Sequence, residues 1–151
     1  MTDKVGIHQY AYKIFPEQRF ILVIHAGLMN MDAIKTCKEA LLQDALFSSE
    51  FNLLIDMRSA KFNVQAKDSL ELFEYISSRT DLVGESRKVA FFTCESEQVA
   101  MATVYKMLYK ENHQKYRVFS ALEDAMLWLH VNLMEDELMN ELELLKEHLK
   151  A

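Results

Sequence analysis

Strand-like and helical segments alternate along the chain, and this alternation limits the possible folds more than any other feature. Residues 19–25, 53–57 and 88–93 are short, mostly apolar runs of the kind found in buried strands. Between these runs, apolar residues recur every three or four positions, as they do in amphipathic helices. The predicted order is strands at 7–15 and 19–25, a helix at 31–47, a strand at 53–57, a helix at 64–78, a strand at 88–93, a helix at 97–109, a strand at 116–119 and a helix from 120. This order predicts one α/β domain with a five-stranded mixed, mainly parallel sheet and helices packed on it.

Local signals place the ends of several segments. The connection at Pro16 to Gln18 is too short for a crossover, so the first two strands are predicted to form an antiparallel hairpin. Gly27 is predicted to end the second strand, and Asn30 is a candidate N-cap for the helix that follows. Ser120 and Glu123 match the S-x-x-E capping box and are predicted to open the helix that follows the last strand.

The second helix leaves its inward face open to two interpretations. Asn63 is a candidate N-cap for this helix. The apolar stripe that faces the sheet consists either of Leu70, Phe73 and Ile76 or of Leu72 and Ile76.

The C-terminal segment keeps a helical period but becomes acidic on its outer face. Residues 1–132 are predicted to form the domain, and residues 133–151 a helical extension of it. Its leucines step by four, three and four positions, which is an a/d spacing; they are Leu138, Leu142, Leu145 and Leu149. Two interpretations follow from this spacing: the helix lies back on its own domain, or it forms a seam with a second copy of the chain in a homodimer.

Composition and charge exclude several classes of protein. The net charge is −6 and the sequence pI is about 5.4, with no basic stripe of the kind that nucleic-acid binding requires. No apolar run approaches the roughly 20 residues of a transmembrane helix, and the N-terminus lacks the apolar core of a signal peptide. Cys37 and Cys94 lie in apolar patterns and are typical of the reduced thiols of a cytoplasmic protein.

A group of polar residues follows the central strand, within the segment 51–62. We expect these residues to lie beyond the carboxyl end of the strand, where open α/β sheets bind ligands. Polar residues also end the neighbouring strands, and together they predict one crevice that binds a protein partner or a small ligand. Its predicted members are Asp56, Arg58, Ser59, Lys61, His25, Cys94 and Ser96. In the alternative interpretation, Asp56 simply pairs with Arg58 or caps a backbone turn.

Catalysis, metal binding and cofactor binding find little support. Cys94 is a possible nucleophile and His25 or His113 a possible base, but no local spacing joins them. No two histidines lie four positions apart, no pair of neighbouring cysteines offers metal ligands, and the glycines are isolated. We therefore expect no catalytic residue, no metal site and no cofactor.

Nine methionines are many for a chain of this length. Methionine fills irregular gaps in a core and also lines adaptable binding surfaces. Core filling is one interpretation of these residues. The other is a pocket between helices and sheet that carries or senses a small apolar ligand.

Four pieces of the chain carry a resemblance to a known family. They are FILVIHAGLM, LLIDMRSAKF, KVAFFT and the closing strand YRVF, which is followed at once by a helix containing LEDAMLWL. In this pattern the chain resembles the SpoIIAA-like branch of the STAS superfamily. The resemblance implies a small, cytoplasmic α/β module that is not an enzyme and that acts by binding protein partners or small ligands.

The chain departs from this family at the loop after the central strand. In the anti-sigma-factor antagonists, that loop carries a phosphorylated serine within an Asp-Ser-Ser-Gly-Leu motif. Here the matching positions are Asn63, Val64, Gln65 and Ala66, and only Asp56 has a counterpart. The phosphorylation switch is therefore not carried over, and the prediction is a regulatory module that binds a protein partner by other means.

Overall fold

The computed structural model describes residues 9–62, 66–79, 87–108 and 115–150. Its strands are β1 (Gln9–Phe15), β2 (Phe20–Met29), β3 (Asn52–Phe62), β4 (Lys88–Phe92) and β5 (Lys115–Phe119). Its helices are α1 (Met31–Gln43), α2 (Ala66–Ser77), α3 (Ser96–Leu108), α4 (Leu122–Leu129) and α5 (Glu135–Lys150). The strands form one sheet in the order β1-β2-β3-β4-β5, in which only the β1–β2 hairpin is antiparallel. The predicted five-stranded mixed sheet is confirmed.

The order of the strands explains why one face of the sheet carries three helices. From β2 to β5 each strand is added on the same side of the last, so every right-handed crossover brings its helix to the same face. Ile34 of α1, Leu72 of α2 and Ala102 of α3 pack with Ile21 and Leu53 in one core cluster. We call this side of the sheet the first face.

Helices α4 and α5 cover the second face. Leu22 and Leu54 lie there in a separate core cluster with Ala125 of α4 and with Leu138 and Leu142 of α5. Leu138 and Leu142 are 0% and 1% exposed within the single chain, so α5 lies on its own sheet. An ion pair between Lys13 and Glu141 joins α5 to β1. Leu145 and Leu149 are half-buried, and a seam that used all four leucines would require α5 to leave the sheet.

Strands β2 and β3 are both longer than predicted. Gly27 does not end β2; the strand continues through it to Met29, with Gly27 at φ 85°, a backbone region that glycine adopts without strain. The register moves from Ile24↔Asp56 to Ala26↔Ser59, so β3 carries one extra residue there. This is a β-bulge, and beyond it β3 continues to Phe62.

Helix ends agree with the predictions in one case and differ in another. Asn30 caps α1 as predicted, with its side-chain oxygen accepting a hydrogen bond of 2.8 Å from the amide of Ala33. The capping box at Ser120 is wrong: α4 begins at Leu122, its N-cap is Ala121, and no side chain caps it. The predicted cap Asn63 lies outside the described residues.

The inward faces of the remaining helices follow from burial. On α2, Leu72 is buried and Leu70 is 53% exposed, which favours the second of the two predicted stripes. Helix α4 ends where His130 adopts a left-handed conformation at φ 58°, and the chain then turns into α5. Within the described ranges, no helix combines the length and apolar character needed to cross a membrane.

Candidate functional site

The centre of the candidate site is an ion pair within strand β3. Oδ1 of Asp56 accepts hydrogen bonds of 3.0 Å from the backbone amide and from Nε of Arg58, and Oδ2 accepts one of 2.9 Å from Nη2. The Asp56 side chain is 2% exposed, whereas that of Arg58 is 31% exposed. The pair that the sequence offered as an alternative is therefore present, and it delivers part of a guanidinium group to the surface.

Phe92 of the neighbouring strand supports this guanidinium group from below. The Arg58 guanidinium lies 4.3 Å from the centre of the Phe92 ring, within the range of cation–π attraction. The pKa of Arg58 is raised, chiefly by its hydrogen bonds to Asp56. Two side chains therefore hold one cation in a single orientation at the surface of the sheet.

The bulge places two more predicted residues on the same side. Ser59 pairs with Ala26 and Lys61 with Leu28, and both partners alternate with Leu22 on the second face. Ser59 is half-buried and Lys61 is exposed. Contrary to the prediction, none of these residues lies in a loop beyond the strand. They project from a strand extension that pairs with the end of β2.

A glutamine that the sequence did not single out holds the open edge of this extension. Strand β4 pairs with β3 only as far as Asp56, and beyond that point Nε2 of Gln98 donates to the carbonyls of Arg58 and Ala60, both at 3.3 Å. Its Oε1 accepts from the amides of Cys94 and Glu95 at 2.9 and 3.3 Å. Gln98 is 1% exposed, so a buried side chain continues the ladder where no strand does.

The sequence contains only a weak signal for this role. Gln98 is the third residue of α3, where a Gln or Glu often reaches back to the residue before the helix. No serine or threonine stands at the position before the helix to complete that pattern, since the residue there is Glu95.

Cys94 and Ser96 lie at the near end of α3. The Cys94 thiol is exposed, and its sulfur lies 3.8 Å from the carbonyl oxygen of Arg58. Ser96 is the exposed first residue of α3. The structure therefore brings Cys94 to the strand that carries Asp56, Arg58 and Ser59.

His25 is separated from this group by the sheet. It alternates with Ile21 and Val23, both in the first core cluster, and it pairs with Tyr10 of β1. It is 6% exposed and faces α1–α3, whereas the Asp56–Arg58 pair faces α4 and α5. The predicted single crevice is thus divided, and Cys94 does not meet His25 as a base. The other predicted base, His113, lies outside the described residues.

Two of the grooves among the described residues lie along α5. One of about 380 Å³ is lined by Tyr10, Ala11, Tyr12, Leu144, Leu145 and His148. A second of about 370 Å³ is lined by Lys13, Phe15, Leu133, Glu137, Asn140 and Glu141. Four of the methionines instead fill the two core clusters; they are Met29, Met31, Met57 and Met126. In the part of the chain that the structure describes, no three His, Cys, Asp or Glu residues come together as metal ligands would.

Comparison with known proteins identifies the fold. The chain is similar to a protein of the DUF3478 family from Shewanella loihica PV-4, whose crystal structure has a SpoIIAA-like fold; the TM-score is 0.54 over 85% of this chain and 98% of that one. The chain has a SpoIIAA-like fold. At 15% sequence identity, this likeness concerns the fold alone.

A second solved structure is similar at a lower level. It is an anti-sigma factor antagonist from Mycobacterium paratuberculosis, with a TM-score of 0.49, 13% identity and coverage of 86% of this chain and 99% of that chain. No protein-family model matches the SpoIIAA-like chain described here, and a comparison with curated proteins finds no match either.

Proposed function

We propose that this SpoIIAA-like chain is a non-catalytic regulatory module that binds a protein partner through the second face of the strand extension. The proposed binding surface consists of Arg58, Ser59 and Lys61, with Cys94 and Ser96 at its border. The observation that carries the proposal is the fixed orientation of the Arg58 guanidinium.

An arginine held in this way suits a protein interface. Nε and Nη2 each use one N–H on Asp56, so the remaining guanidinium donors are left for a carboxylate or carbonyl group of a partner. Because Asp56 and Phe92 already fix the side chain, its binding costs less rotamer entropy than that of a free arginine. Arginine is also among the residue types that dominate interface energies.

Affinity purification of the tagged chain from its own host tests this proposal. A protein that copurifies with the wild type should be lost or strongly reduced with Lys61→Glu and Arg58→Lys. The matched control is Lys67→Glu, an exposed lysine of α2, which packs on the first face. Equal recovery of the same protein with all three variants would contradict this assignment of the surface.

The open groove at Tyr10, Tyr12 and Leu144 favours a second candidate function, a carrier or sensor of a small apolar ligand. Leu144 is 65% exposed, and the groove lies between the outermost strand and α5. Native mass spectrometry of gently purified protein should then show an added small mass, which Leu144→Lys should remove. A clean mass of the chain alone would count against this candidate.

Three further properties belong to the proposal. We infer a cytoplasmic setting, in which the exposed Cys94 thiol stays reduced. The non-catalytic role predicts that Cys94→Ala stays fully active in any functional assay of the chain. A homodimer through Leu145 and Leu149 predicts that Leu145→Glu lowers the sedimentation coefficient at a fixed concentration, and an unchanged value would remove the dimer from the proposal.

A further inference from the structure

A cluster of cations lies near the single tryptophan of the chain. It is at the end of the sheet opposite to the proposed binding surface of Arg58, Ser59 and Lys61, which we call the Arg58 surface. Lys88 and Lys115 are directly paired first residues of β4 and β5, and Arg117 follows two residues later. Nζ of Lys88 lies 5.3 Å from the centre of the Trp128 ring, and the Arg117 guanidinium carbon lies 5.6 Å from it. All four residues are on the second face of the sheet.

The three cations differ in their contacts and in their exposure to solvent. Nζ of Lys88 donates a 3.0 Å hydrogen bond to the carbonyl of Trp128 in the last turn of α4, where a positive charge is also favoured by the helix dipole. Lys88 is half-buried and therefore has a structural role. Lys115 and Arg117 are exposed, and Trp128 is half-buried beside them.

These cations have no acidic partner within the described residues. The ion pairs formed there use Lys13, Lys35, Arg58 and Arg79 as the cations. Glu123 and Asp124 are in the first turn of α4, and Asp124 lies four residues before Trp128 on the same side of the helix, but neither forms an ion pair with these cations. In a chain with a net charge of −6, three neighbouring cations without an ion pair to any described residue are an exception to the overall balance.

We propose that Lys115, Arg117 and Trp128 form a docking surface for an extended acidic segment of a partner protein. Lys115 and Arg117 are two residues apart on the same face of a strand, which separates them by roughly 6–7 Å. Carboxylates at alternate positions of an extended segment have the same spacing, so one segment can meet both cations. Arg117 offers paired donors to a carboxylate, and Trp128 supplies apolar contact area beside Arg117.

This surface is separate from the one proposed for Arg58. Arg117 pairs with Ala90, Ala90 pairs with Leu54, and Arg58 lies four residues beyond Leu54. At about 3.3 Å per residue the nearest members of the two surfaces are therefore roughly 13 Å apart along β3. A variant can change one surface and leave the other intact.

Fluorescence of Trp128 tests the proposal directly because the chain has no other tryptophan. The wild type is titrated with a synthetic peptide that alternates Glu and Thr, and with a control peptide that alternates Gln and Thr. We expect a saturable change in emission with the Glu peptide alone. Binding should weaken strongly between 0.1 M and 1 M NaCl, over which the Debye length falls from about 10 Å to about 3 Å.

Charge variants supply the second part of the test. The double variant Lys115→Gln, Arg117→Gln should weaken binding by about two- to 25-fold, since each exposed ion pair contributes a factor of about 1.4 to 5. Calorimetry measures this weakening independently, because Arg117→Gln also changes the surroundings of the fluorophore. Lys67→Gln on the first face should leave the affinity unchanged, and matching urea midpoints should show that all variants are folded.

Several results would overturn the proposal. They are the absence of salt-sensitive binding of the Glu peptide, equal weakening by Lys67→Gln, or tighter binding of an oligothymidine than of the peptide. Salt-sensitive self-association that the double variant abolishes would also overturn it, because the acidic occupant would then be α5 of a second copy. Lys61→Glu separates the two proposals, since it should impair the Arg58 surface and leave binding of the Glu peptide intact.

Discussion

Replacement of Arg58 by methionine should destabilise the protein more than replacement of its partner Asp56 by asparagine. In Arg58→Met, the Asp56 carboxylate, 2% exposed, loses its counter-ion and two of its three hydrogen bonds. Removal of one partner from a buried pair costs about 3–5 kcal/mol, and we expect about 3 kcal/mol here because the backbone amide still donates. With an m-value of about 2 kcal/mol/M, the urea midpoint should fall by roughly 1.5 M.

The opposite variant should cost less because Arg58 is not buried. In Asp56→Asn the side-chain oxygen still accepts from the backbone amide, and the guanidinium, 31% exposed, can turn toward water. We expect a loss of about 1–2 kcal/mol. Lys61→Met, an exposed position on the same strand, should change stability by no more than about 0.5 kcal/mol and serves as the control. Equal losses for Arg58→Met and Lys61→Met, or a larger loss for Asp56→Asn, would refute the reasoning.

Three further predictions follow from a buried hydrogen-bonding side chain, the helix caps and a buried thiol. Gln98→Leu should cost about 2–4 kcal/mol and speed amide exchange over residues 57–61, because two buried carbonyls lose their donor; unchanged exchange rates would show that the extension does not depend on Gln98. Asn30→Ala should cost about 1 kcal/mol in urea unfolding and Ser120→Ala less than about 0.5 kcal/mol, since only Asn30 caps its helix; a larger loss from Ser120→Ala would contradict the observed start of α4. Burial raises the pKa of Cys37 from 9.0 to about 11, so the folded state binds the thiol proton more tightly than the unfolded state does. The contribution of this thiol to the free energy of unfolding is therefore present below pH 9 and is lost as the pH rises to about 11. The stability difference between wild type and Cys37→Ala should therefore shrink by about 2–3 kcal/mol over that range, and a constant difference would place the thiol in contact with water.

The sheet could be predicted from the sequence because its strands are apolar on both faces. The runs that contain Leu22, Leu54 and Ala90 are buried under helices on either side, and such strands lack the polar alternation of a half-exposed sheet. The helical segments between these strands then predicted parallel strands joined by crossover helices. The mainly parallel pairing follows from these two features together, whereas the order β1-β2-β3-β4-β5 is known from the structure alone.

The strand extension could not be predicted in the same way. Asp56, Arg58, Ser59 and Lys61 have the composition of a loop, and their pairing depends on an extra residue that only the register between β2 and β3 reveals. Gln98 bonds to carbonyls 38 and 40 positions earlier, a distance at which no local pattern carries information. The side of the sheet that His25 occupies likewise depended on this register. The local sequence pattern is equally compatible with a loop or a paired strand after Asp56, and with His25 on either face of the sheet.

The two proposed surfaces should respond differently to salt, and this difference can identify the one that a natural partner uses. At the Arg58 surface the guanidinium is already neutralised by Asp56, so its contribution is mainly directional. Lys61, which forms no ion pair with a described residue, supplies the net charge there. The second surface, formed by Lys115, Arg117 and Trp128, is called the Trp128 surface. Its two cations lack acidic partners among the described residues, so association there should depend on long-range attraction. A partner whose association rate falls steeply with NaCl therefore engages the Trp128 surface, whereas one whose dissociation rate rises with Arg58→Lys at any salt concentration engages the Arg58 surface.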